Sequence, residues 1–164
     1  MLILGIDPGP KFHGYALIHA TRARRVHVAS GKCDSSEMLA RIRTPVGHPE
    51  GAQLVAVERA VRILGGFDSP QRARAIAEQM FAAQFHAGTF FNQAAGRAIT
   101  IEAAKWREGI IGMSSPSDAQ VRAVILRLVE GWPKTSSAGE HACDAAGIAL
   151  AASNFGACRM EREW

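Results

Sequence analysis

The chain has 164 residues, carries a formal net charge of +4 with a sequence isoelectric point near 9.3, and is 48% hydrophobic at a mean hydropathy of −0.01. That length suits one domain with a substantial core, and no apolar run approaches the roughly 18 residues of a membrane-spanning helix. The start lacks the basic and cleavable segments of a secretory leader, and Cys33, Cys143 and Cys158 form neither a Cys-x-x-Cys pair nor a zinc-like spacing, so a cytoplasmic protein with free thiols is expected.

The run Leu2-Ile3-Leu4-Gly5-Ile6-Asp7 predicts a buried first strand over residues 2–7 that ends on a carboxylate, where Pro8-Gly9 stops it. A second strand follows over 12–19. A third is expected over 25–32, where Val26, Val28 and Ser30 alternate with Arg25, His27 and Ala29. Ser35 or Ser36 can cap a helix over 35–43, with Glu37 in its first turn. Residues 44–51, with two prolines and two glycines, read as a loop. A fourth strand over 53–58 closes on Glu58. The breaker cluster Gly65-Gly66-Phe67-Asp68-Ser69-Pro70 then leads into a helix from Pro70 to about His86, with Ser69 as cap and proline at the first position. A fifth strand is expected over 97–101 and helices over 102–110, 116–130 and 138–152. Ser115 or Ser117 starts the second of these, whose Val121, Val124, Ile125, Leu128 and Val129 keep one apolar face. Residues 158–164 read as a charged, frayed tail; the rest, 1–157, reads as one domain.

Three acids stand out because they lie in apolar surroundings, where a charge needs a partner. Asp7 and Glu58 end strands, and Asp144 lies within the helix-like stretch from His141 to Leu150. Three or four acceptors meeting at one point would most naturally hold divalent metal. The basic excess lies in the first half: residues 1–82 carry 11 Lys+Arg against 7 Asp+Glu, and residues 83–164 carry 8 of each. Arginine outnumbers lysine 15 to 4, which suits bidentate phosphate contacts.

Four motifs in order, Gly5-Ile6-Asp7-Pro8-Gly9, Gly14-Tyr15-Ala16-Leu17-Ile18, Val57-Glu58 and His141-x-x-Asp144-Ala145-Ala146-Gly147-Ile148-Ala149, resemble the RuvC family of Holliday-junction resolvases, in the ribonuclease H-like superfamily. The segment Lys105-Trp106-Arg107-Glu108-Gly109-Ile110-Ile111-Gly112 is similar to a basic stretch of that family. The resemblance implies an α/β fold with a mixed five-stranded sheet, three antiparallel strands then two parallel, flanked by helices. It implies two Mg²⁺ or Mn²⁺ ions held by Asp7, Glu58, His141 and Asp144, with Asp7 bridging and Glu140 in reserve for His141. His141 and Asp144, three apart, share a helix face. It implies paired, metal-dependent cleavage of four-way DNA junctions by a homodimer. Lys105, Arg107, Lys11, Arg59 and Arg62 are the expected phosphate contacts; Phe67 is a candidate for stacking on an unpaired base, and Trp106 either stacks on nucleic acid or anchors a helix.

Two departures from the family pattern concern substrate choice. The stretch before Glu58 is short, and no aromatic follows that acid closely, where Arg59-Ala60-Val61-Arg62 stands instead. A nuclease of broader branched-DNA specificity, acting on flaps or forks, and a non-catalytic junction-binding protein are therefore the alternative functions. Gly-Ile-Asp-x-Gly also opens the phosphate loop of actin-like kinases, but 164 residues do not provide the two lobes such enzymes need.

Overall fold

A computed structural model of the chain describes residues 1–44, 51–59, 69–94, 96–134 and 139–160, with the backbone alone over 155–160. Five strands, β1 (Leu2–Asp7), β2 (His13–Ala20), β3 (Arg25–Cys33), β4 (Leu54–Arg59) and β5 (Ala98–Glu102), form one sheet in the order β3-β2-β1-β4-β5. The β1–β2 and β2–β3 pairs are antiparallel, whereas β1–β4 and β4–β5 are parallel. The mixed sheet expected from the sequence is the one found.

Side-chain alternation sorts the strands onto two cores. Ile3, Ala16, Ile18, Ala20 and Ala56 face helix α5 (Gly139–Met160) and α4 (Asp118–Leu128), while Leu2, Leu4, Ile6, Tyr15, Leu17, Val55 and Val57 face α1 (Ser35–Arg43) and α2 (Pro70–Ala94). The same alternation directs Asp7, in phase with Ile3, and Glu58, in phase with Ala56, to the α5 side. α5 approaches the sheet closely because its inner face is Ala142, Ala145, Ala146 and Ala149 against Gly5 and Gly14. A Cβ at Gly5 would overlap the Ala145 carbonyl oxygen and stand 2.9 Å from the Ala149 nitrogen.

Several boundaries differ from the sequence reading. Asp34, not Ser35 or Ser36, caps α1, in a reciprocal capping box with Glu37. α2 runs to Ala94 rather than stopping near His86, since Ala87, Phe90 and Ala94 continue its buried face. The expected helix over 102–110 is a short helix α3 (Ala103–Trp106) followed by a π-helical turn (Arg107–Ile111), which Gly112 closes at φ 85°. α4 starts only at Asp118, after the Ser117 cap, and ends before Val129, because Glu130 pairs with Val26 of β3. α5 extends through Met160, taking in the first three residues of the expected tail; 161–164 lie outside the described residues. Most of the expected 44–51 loop and of the breaker cluster before α2, with Arg62 and Phe67, also lies outside them.

Candidate active site

One end of the sheet collects the side chains that the sequence singles out. β1 delivers Asp7 and parallel pairing of Ile6 with Val57 sets Glu58 of β4 beside it. The first turn of α5 crosses above, with Gly14 of β2 against the His141 backbone. His141 Nδ1–H donates to Asp7 Oδ2 at 2.7 Å, across 134 residues of sequence. Glu58 Oε2 accepts from the indole N–H of Trp106 at 2.7 Å. Asp144 Oδ2 lies 3.6 Å from the Arg107 guanidinium, which also stands 5.2 Å above the Trp106 ring.

The electrostatics identify a cluster of acids short of positive charge. Burial, then the neighbouring Asp7, pushes Glu58 up to about 7, against the Trp106 hydrogen bond and Arg107. Burial and then Asp7 also push Asp144 up to about 6, opposed chiefly by Arg107. The hydrogen bond to Asp7 raises His141, with burial opposing. Like charges gathered in a poorly solvated place disfavour ionisation, which is the cost a bound cation would relieve. Among the described residues no three acidic, histidine or cysteine side chains already close round a point as a formed cation cage would. Each carboxylate is instead turned to a protein donor: Asp7 to His141, Glu58 to Trp106, Asp144 to Arg107. The donor types nevertheless suit a hard divalent cation: three carboxylates and one imidazole, whose Nε2 is left over from the Asp7 bond on a half-exposed ring.

The raised Glu58 pKa makes a testable statement about stability. Its folded-state value lies above the usual 4.5, so the folded chain holds this proton more tightly. Stability therefore falls as pH rises from about 4.5 to 7, and the penalty is complete above that window. Glu58→Gln keeps an oxygen for the Trp106 N–H and removes the charge. In EDTA at pH 8 it should melt about 3–10 °C above wild type, corresponding to about 1–3 kcal/mol. At pH 4.5 the difference should vanish; equal melting at both pH values would contradict the assigned burial of this charge.

Of the expected DNA contacts, Lys11, Lys105 and Arg59 are exposed. Arg59 turns to the other side of the sheet, against Gln84, Gly88 and Phe91 of α2, and does not join the acids. Arg107 does join them. Trp106 departs from its expected role as a DNA contact: it is fully buried, with its ring against Gly147, so no face is open to a base. Its helix-anchoring reading holds, and it adds the hydrogen bond to Glu58. The apolar Ala-Ala before it and the Gly at 147 are the only sequence signals of that pocket. Glu140 is exposed and lines a groove of about 590 Å³ with His141, Lys32, Asp118 and Arg122. None of Lys32, Arg122 and His13 is singled out in the sequence. His13 is fully buried: its Nε2 meets Ser35 Oγ at 2.9 Å, and burial, then His86, lowers its pKa to about 4.

No family model matches the chain. A curated protein named crossover junction endodeoxyribonuclease RuvC, from Teredinibacter turnerae, is 30% identical across 93% of this chain and 88% of its own length. A protein of the same name from Erythrobacter litoralis is 27% identical across 94% and 93%. Among solved structures, T. thermophilus RuvC in complex with a Holliday junction substrate superposes with a TM-score of 0.67 at 15% identity, covering 95% of this chain and 94% of that one. Fowlpox virus resolvase in complex with Holliday junction DNA gives a TM-score of 0.55 at 16% identity, covering 94% and 98%.

Proposed function

The chain belongs to the RuvC family of crossover junction endodeoxyribonucleases, and from that membership we propose that it resolves four-way DNA junctions by hydrolysing one phosphodiester in each of two strands, at a centre made by Asp7, Glu58, His141 and Asp144. The observation that carries this reading is the meeting of three carboxylates and a histidine from β1, β4 and α5 at one end of the sheet, with Glu58 and Asp144 both held above their ordinary pKa values.

Asp7, Glu58 and Asp144 would hold divalent cations, two Mg²⁺ or Mn²⁺ ions in this reading, with His141 as a further ligand or a water-positioning group. Bound there, they would supply an activated water and offset the charge that builds on the phosphate. The chain's own residues do the rest. Trp106 fixes the Glu58 carboxylate from below, where a buried indole cannot drift. The Asp7 hydrogen bond fixes the ring of His141 and leaves Nε2 for the site. Arg107 offers its planar fork to a phosphate oxygen from its place beside Asp144, and Lys11 and Lys105 take phosphates farther out.

Resolution needs two coordinated cuts, so two copies of the chain act together. The outer face of α2 supports this, since Phe81 and Phe85, four residues apart on one helix face, are 76% and 65% exposed. Among the described residues no helix is long and apolar enough to cross a membrane, and the buried, unbridged Cys33 and Cys143 suit a reducing cytoplasm.

An immobile four-way junction with labelled strands tests the reading. Symmetric paired nicks in Mg²⁺ or Mn²⁺, none in EDTA, and much slower cutting of flaps, forks and RNA–DNA hybrids are expected. Equal rates on flaps and junctions would replace junction resolution by a broader branched-DNA activity; tight junction binding with no cut in either metal would make the chain a recognition protein.

A further inference from the structure

Beside the acids, on the β3 side of the sheet end, stands an aromatic side chain that the catalytic reading does not use. Phe12 is 42% exposed. The Lys11 ammonium lies 5.5 Å from its ring centroid and the Lys32 ammonium 4.8 Å. Among the described residues neither lysine is paired with a carboxylate. An exposed apolar ring usually folds back onto the core. Here the backbone prevents that on both sides. The turn from Asp7 is so tight that a Cβ at Gly9 would overlap the Phe12 carbonyl. The next residue, His13, is locked inside by Ser35 and by edge contacts with His86 and Phe90, each at 4.8 Å. Phe12 is thus held outward between two rigid anchors.

The placement relative to the acids is equally constrained. Gly14, two residues on, touches the His141 backbone and pairs with Lys32 across the β2–β3 ladder. Lys32 in turn lines the 590 Å³ groove that His141 and Arg122 share. Through Lys32 the ring thus adjoins the groove that His141 lines. Both ammonium groups stand over the ring, so a base takes the face as the cations swing to the adjoining phosphates, the pairing of stacking with phosphate contact that binds single-stranded nucleic acid.

We propose that Lys11, Phe12 and Lys32 form a second DNA contact, in which Phe12 stacks on a base that has left its helix beside the cut and the two lysines hold the phosphates flanking it. This rests on the junction-cleaving reading and extends it: it assigns the strand at the His141 side of the centre an unstacked nucleotide.

The test uses the full chain, a four-way junction and EDTA, so that binding is read without cutting. 2-Aminopurine is walked through the nucleotides around the crossover, and its emission rises where a base leaves its neighbours. Phe12→Ala should bind about ten-fold more weakly and lose the emission rise at one position, while Phe12→Tyr keeps both. Lys32→Gln should reduce the slope of log affinity against log salt by about one, and Lys32→Arg should restore it. Circular dichroism and melting identical to wild type keep the loss from being a folding defect, as the exposure of Phe12 leads one to expect. Wild-type binding and cutting together with an unchanged Phe12→Ala protein overturn this inference alone. A wild type that neither binds nor cuts the junction overturns the functional reading and this one with it.

Discussion

Asp7→Asn is expected to slow junction cleavage by about a hundred- to several-thousand-fold, which corresponds to about 3–5 kcal/mol of lost transition-state stabilisation. Asp7 neighbours every other member of the set: it accepts from His141 and raises both Glu58 and Asp144. The amide removes a negative charge and one acceptor while keeping the shape. Folding should survive it, because the relaxed repulsion lets Glu58 and Asp144 return toward ordinary carboxylate behaviour. Junction affinity in EDTA should be equal to wild type or higher, since one negative charge fewer faces the phosphates. A single-turnover assay beside a gel-shift titration separates the two effects. Undiminished cleavage by Asp7→Asn would remove Asp7 from the centre of the site.

The second large effect is expected from a residue with no functional group. Gly14→Ala places a methyl on the His141 carbonyl and within 2.7 Å of the His141 Cβ. The obstacle is helix backbone, which cannot rotate away, so the start of α5 must move off the sheet. Overpacking of this kind costs about 1–3 kcal/mol, or about 3–10 °C in melting temperature. The loss of activity should exceed what that instability explains, because His141 and Asp144 ride on the displaced turn and a shift of about 1 Å can cost a hundred-fold in rate. Gly88→Ala is the matched control: it lies in α2 with open space around its Cβ position and should melt at or slightly above the wild-type temperature. Wild-type cleavage by folded Gly14→Ala protein would show that the helix start tolerates displacement.

The fold was legible because its signals are local and agree. Continuous apolar runs in β1 and β4, alternation in β3, and caps such as Ser117 each point to the element that forms. Three of the four candidate side chains stood out as acids in apolar stretches, and His141 joined them only through the resemblance to the RuvC family, its i, i+3 spacing then setting it on the helix face of Asp144. Their partners were not legible. That Trp106 supports Glu58, or that Arg107 faces Asp144, depends on how α3 and its π-helical turn fold across the end of β4, and a π turn leaves no periodic signature in five residues. Trp106 between two basic residues left base stacking and helix anchoring both open for the same reason: the hollow that buries it is made by Gly147, 41 positions away. Phe12 was overlooked as an ordinary strand residue, and only the closed turn after Asp7 and the burial of His13 turn it outward.

The pairing of Glu130 with β3 bears on how the protein behaves in the tube. β3 is the last strand of the sheet, and such an edge offers its spare N–H and C=O groups to any neighbouring molecule able to add a strand. The first half is sealed: His27 N–H donates to the Glu130 carbonyl at 2.9 Å and Glu130 N–H to that of Arg25 at 2.8 Å. The second half carries Lys32, whose charge discourages sheet-to-sheet association. Substitutions that neutralise Lys32 therefore loosen a guard against self-association as well as a grip on DNA, and such variants are best compared with wild type at low protein concentration, where a growing sheet would have no partner.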